Sequence, residues 1–78
     1  MNGLRVYIDL KRPDALCTVF YTKRAGGPYY RWQYEELRGQ WLSSRMRAVE
    51  LPTIELVATP WKEVPTALKS TLNEHYID

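Results

Sequence analysis

Cysteine is nearly absent from this chain of 78 residues, Cys17 being the only one. An intramolecular disulfide is therefore excluded, and a lone thiol suits a reducing compartment. Histidine is as scarce, with His75 alone, and the acidic residues are scattered, so no three- or four-ligand metal site can be read. Long apolar runs are missing too; none approaches the roughly 18 residues that a membrane span requires. Met1 to Leu10 has no basic start, apolar middle and small-residue cleavage site, which makes the cytoplasm the expected compartment. Also lacking are the Walker loop, GxGxxG, GxSxG and HExxH, so neither an enzyme nor a cofactor is expected.

What the chain has is rings and charge. Three Trp, six Tyr and one Phe accompany 45% hydrophobic and 26% charged residues, a composition that folds. Its length suits one domain over residues 1–78. A core of this size supplies only about 3–5 kcal/mol of net stability, so large aromatic side chains must provide most of the volume. The formal charge of +2 is unevenly spread. Residues 1–47 carry nine Lys/Arg against four Asp/Glu, and residues 48–78 carry two against five.

Leu4, Val6, Ile8 and Leu10 alternate with Arg5, Tyr7, Asp9 and Lys11, the period of a half-buried strand. Lys11-Arg12-Pro13-Asp14 ends it. Leu16 to Arg24 and Tyr29 to Glu36 are β-rich runs on either side of Gly26-Gly27, a hairpin signal. A two- or four-residue loop there sets Arg24 opposite Tyr29, Tyr21 opposite Trp32 and Val19 opposite Tyr34. Cys17, Val19, Tyr21, Tyr30, Trp32 and Tyr34 then share the core face. The next loop, Leu37-Arg38-Gly39, sets Glu36 opposite Gln40 and turns Leu42, Ser44 and Met46 inward. Thr53 to Thr59 reads as a short fifth strand with Ile54, Leu56 and Ala58 inward, its place in the sheet left open. Val64, Leu68, Leu72 and Tyr76 recur at helical spacing behind Pro65, which predicts a helix over about 65–76.

The expected fold is α+β: a four- to five-stranded antiparallel β-meander over about 4–59 with one C-terminal α-helix packed on one face. One helix covers one face. The other face, in this register, displays Phe20, Arg24, Tyr29, Arg31, Gln33, Trp41, Arg45 and Arg47, with Arg31 directly opposite Arg45. Like charges so placed repel unless an acidic ligand relieves them. Trp, Tyr and Arg are the residues enriched at interface hot spots, which makes an acidic protein surface the preferred partner. Rings interleaved with guanidiniums also suit single-stranded RNA, the alternative ligand, although the low net charge weakens it. The plainer accounts are cation–π cover of a small sheet and a homodimer through the same face. A remote third class is a small enzyme pairing Cys17 with His75, against which a buried strand cysteine is usually a small hydrophobe.

The segments YTKRAGGPYYRWQYEELRGQW, Tyr21 to Trp41, and WKEVPTALKSTLNEHYID, Trp61 to Asp78, together resemble the small uncharacterised conserved proteins of cyanobacteria. The resemblance implies a cytoplasmic protein of a photosynthetic bacterium with an accessory or regulatory role, and it carries no activity or catalytic residue with it.

Overall fold

A computed structural model describes residues 3–12 and 18–77. The expected turn at Pro13-Asp14 and the placement of Cys17 lie outside the described residues. Among the described residues the elements are β1 (Leu4–Asp9), β2 (Val19–Arg24), β3 (Tyr29–Glu35), β4 (Gln40–Arg45), β5 (Leu56–Ala58) and α1 (Thr66–His75), with short 3-10 turns at Ala48–Thr53 and Trp61–Glu63. The strands form one open antiparallel sheet in the order β4, β3, β2, β1, β5. The first four make the expected meander. The fifth does not continue it: the chain after β4 crosses to the far edge, where Ile8 pairs with Val57.

The helix forms where the four-residue spacing predicts it. Pro65 stands just before the first turn, where a missing N–H costs nothing. Val64, Leu68 and Leu72 point into the sheet and are buried. Each contributes about 1.5–3 kcal/mol by leaving water.

Beneath them the alternation of β3 is as expected, with Trp32 buried and Tyr30 packed against the core. The neighbouring strands are turned over. Lys23, not Arg24, is opposite Tyr29, so Phe20 faces Trp32 and Thr22 faces Tyr30. The connection is thus odd in length rather than even. Gly27 N–H donates to the Arg24 carbonyl at 2.8 Å, and Gly26 takes the positive φ of 79° that the turn requires. Moving the register by one residue exchanges the two faces of a strand.

The same happens at the second hairpin. Glu35 pairs with Gln40, and the loop runs from Glu36 to Gly39, whose φ is 63°. The Glu35 carboxylate accepts the Leu37 N–H at 2.8 Å, satisfying a loop donor and favouring the longer turn. Trp41 therefore lies opposite Tyr34, and Ser43 opposite Trp32.

The energetic reason is the size of the rings. The observed register gathers Phe20, Trp32 and Trp41 with Val6 under the helix, and all four are buried. The expected register would have left Phe20 and Trp41 outside.

The side chains expected inward on β2, β4 and β5 consequently lie on the second face: Val19, Tyr21, Leu42, Ser44, and Leu56 with Ala58. That face is not bare. Tyr21 is only 6% exposed and Met46 only 7%. The crossover from β4 to β5 runs over it, because Glu50 within this connection reaches Arg31 at 3.7 Å. Met46 N–H donates to the Tyr29 carbonyl at 2.9 Å, pinning the start of the strap. Its far end is held by Asp9, whose Oδ1 accepts the N–H of Glu55 and of Lys11, each at 3.0 Å.

Candidate functional site

The eight residues expected on one exposed face divide into three groups. Phe20 and Trp41 belong to the core under α1, where their rings meet edge to face with centroids 5.9 Å apart. Burial removes them from any binding surface. Arg24 and Arg45 lie on the helix side as well. Arg24 donates from Nη2 to the Tyr76 carbonyl at 2.9 Å, and its guanidinium lies 5.5 Å from the Tyr76 ring centre. A cation there complements the C-terminal end of the helix dipole, so its role is to seat α1. Arg45 is opposite Tyr30 and exposed.

Tyr29, Arg31 and Gln33 do occupy the second face. Arg47 follows β4, with a side chain 80% exposed, and meets Glu50 at 3.9 Å. Arg31 is opposite Ser44 rather than Arg45, which removes the repulsive pair inferred from the expected register. Its charge is met by Glu50, and its guanidinium lies 5.7 Å from the Tyr21 ring centre.

A different pair of like charges takes that place. Arg5 on β1 is directly opposite Lys23 on β2. Among the described residues neither meets a carboxylate. Lys23 Nζ lies 5.0 Å from the centre of the Tyr29 ring, and Tyr29 packs at 6.1 Å against Tyr7. Two cations and two half-buried tyrosines thus form a patch at the Gly26 end of the second face, beside the strap. Sequence reasoning missed Arg5, Tyr7 and Lys23. The outward alternation of Arg5 and Tyr7 was legible, but Lys23 reaches the same side only through the one-residue change in register.

His75 is exposed at the C-terminal end of α1. Its ring stands edge-on to Tyr30 at 4.8 Å and to Trp32 at 5.0 Å. Below it a hydrogen-bond chain links β3, β2 and the end of α1: Trp32 Nε1–H donates to Thr22 Oγ1 at 2.8 Å, and the Thr22 and Tyr76 hydroxyls are hydrogen-bonded to each other at 2.7 Å. Thr22 is fully buried. Burial raises the Tyr76 pKa above its ordinary value of 10.0; the Thr22 hydrogen bond lowers it, Tyr30 raises it and Arg24 lowers it, and burial prevails. No group of three potential metal ligands occurs among the described residues, and no helix there is long and apolar enough to cross a membrane.

The chain is thus an α+β domain, an open five-stranded antiparallel sheet with its C-terminal helix on one face and its own crossover on the other. Compared with protein-family models, curated proteins and solved structures, it gives no significant match to any of them.

Proposed function

We propose that this chain is a non-catalytic binding module of the cytoplasm, which engages an acidic protein surface through the patch of Arg5, Lys23, Tyr7 and Tyr29. The observation that carries the reading is the direct opposition of Arg5 and Lys23, with no acid beside them among the described residues. Such a pair costs the free domain a few tenths to about 1 kcal/mol, and an acidic ligand returns that cost on binding. Tyr7 and Tyr29 supply the rigid amphipathic area that interface hot spots use. Single-stranded RNA is disfavoured because stacking needs open ring faces. Phe20 and Trp41 are buried, and Tyr7 and Tyr29 lie against each other. The resemblance to cyanobacterial proteins adds no activity, so the reading rests on the patch.

Fluorescence anisotropy with a labelled Glu/Asp-rich peptide, and with a labelled oligouridine of the same length, tests it. The peptide binds the wild-type domain, and Arg5→Glu with Lys23→Glu weakens it at least about tenfold, as loss of two interfacial ion pairs predicts. Arg38→Glu, on the distant hairpin loop, leaves affinity unchanged. Absence of peptide binding up to about 1 mM, or equal binding by the double variant, overturns the reading. Tighter binding of oligouridine than of peptide transfers it to RNA.

A further inference from the structure

In an antiparallel ladder, alternate residues spend both backbone groups on one neighbour and turn them away at the next position. The Met46 to Tyr29 hydrogen bond fixes the phase on β4. Gln40, Leu42 and Ser44 exchange bonds with Glu35, Gln33 and Arg31, while Trp41, Ser43 and Arg45 direct N–H and C=O outward from the sheet. The other side of β3 agrees: Tyr34 N–H donates to Thr18 at 2.9 Å, so Tyr34, Trp32 and Tyr30 serve β2 and leave the odd-numbered residues for β4. Among the described residues, no hydrogen bond reaches the outward groups of Trp41, Ser43 or Arg45.

Sheet edges usually carry protection in the form of brevity, proline, inward charge or a bulge. At the opposite edge β5 is three residues long. β4 is six residues long, contains no proline and is uncharged from Gln40 to Ser44. Its register with β3 is unbroken along its whole length. Leu42 is 43% exposed on its second-face side.

We infer that β4 is an interface between two copies of this chain, paired antiparallel about a two-fold axis at Ser43 to form one continuous sheet. A two-fold axis normal to the sheet keeps like faces together, so only registers that pair residues of the same numerical parity are allowed. Of these, the one centred on Ser43 is the register in which all three outward residues exchange both backbone bonds within the strands. It pairs the backbone of Trp41, whose ring stays buried under α1, with that of Arg45 of the partner subunit, twice by symmetry. On the second face Leu42 meets Ser44 of the partner subunit. No like charges meet across the axis. This self-complementarity is the reason to assign the edge to a second copy rather than to a strand of another protein. The inference does not rest on the acidic-partner reading, since Arg5 and Lys23 lie on β1 and β2.

Sedimentation equilibrium from about 1 μM to about 1 mM tests it. Wild-type protein shows a concentration-dependent dimer. Ser43→Pro deletes an outward N–H and none of the bonds to β3, and dimerisation weakens at least about tenfold with the circular dichroism of the fold retained. If that variant fails to fold, charge exchange decides. Ser43→Lys and Ser43→Glu each place like charges face to face at the axis and are monomeric alone, whereas an equimolar mixture dimerises. Arg5→Glu with Lys23→Glu dimerises as the wild type does. A wild-type chain that stays monomeric throughout, a Ser43→Lys variant that dimerises normally, or a mixture that does not associate overturns the inference.

Discussion

Phe20 and Trp32 stand directly opposite one another on β2 and β3, and both side chains are sealed beneath α1. This pairing decides which residues each face of the sheet can offer. With Phe20 inward, Thr22 is inward two residues later, and Tyr21 and Lys23 must face away. The hydrogen-bond chain under the helix and the cationic patch on the far side are consequences of the same register.

The cost of removing the Phe20 ring measures that arrangement. Phe20→Ala lowers unfolding free energy by about 3–5 kcal/mol, enough to unfold a domain of this size. Phe20→Leu, which keeps much of the apolar volume, folds with a reduced urea midpoint. Val19→Ala, at a half-buried position on the second face, has the smaller effect. Chemical denaturation followed by tryptophan fluorescence ranks the three, and a larger loss at Val19 than at Phe20 contradicts the observed register.

Thr22 tests the polar link between sheet and helix. Thr22→Val leaves Trp32 Nε1–H and the Tyr76 hydroxyl facing a methyl group, at about 1–3 kcal/mol for each donor or acceptor left unpaired. Thr22→Ser restores the oxygen and recovers most of the loss. Equal destabilisation by the two substitutions in denaturant melts shows that the hydroxyl is not what matters.

Stability at alkaline pH carries a signature of Tyr76. Its folded pKa lies above the ordinary 10.0, so the unfolded chain releases this proton first. The contribution is complete below about pH 10 and is lost as pH rises through the folded value. In Tyr76→Phe that part of the alkaline decline disappears, although the variant is less stable at neutral pH because the bond to Thr22 is gone. Denaturant midpoints measured from neutral to strongly alkaline pH should converge for the two proteins at the alkaline end.

Binding and stability trade against each other at Arg5. Arg5→Glu converts the like-charge pair with Lys23 into an attractive one and raises unfolding free energy by a few tenths to about 1 kcal/mol. The same change weakens the acidic peptide. Calorimetric melting shows a higher Tm for this variant at low salt, and the difference shrinks as salt is added.

Glu50 secures the strap. Its carboxylate accepts the Arg47 N–H at 2.7 Å and pairs with Arg31. Both charges are partly exposed, so Glu50→Ala costs no more than about 1 kcal/mol globally. Locally the effect is larger: amide exchange across residues 48–53 accelerates while that of β2 and β3 is unchanged.

Local sequence determines much of this molecule. The alternations of Leu4 to Leu10 and of Tyr29 to Glu35, the glycine-marked hairpins and the four-residue spacing of Val64, Leu68 and Leu72 specify strands, turns and helix, because each is a property of a few consecutive residues. They also specify that Tyr30 and Trp32 point beneath α1 and that Arg31 does not. The tertiary structure decided the faces of β2 and β4, the return of β5 to pair with β1, and the strap over the second face. Large apolar side chains occur at both parities of β2 and β4, so alternation alone does not distinguish their inward from their outward sets. Only the joint burial of Phe20, Trp32 and Trp41 selects one, through two loops each a single residue longer or shorter than the local signals suggest.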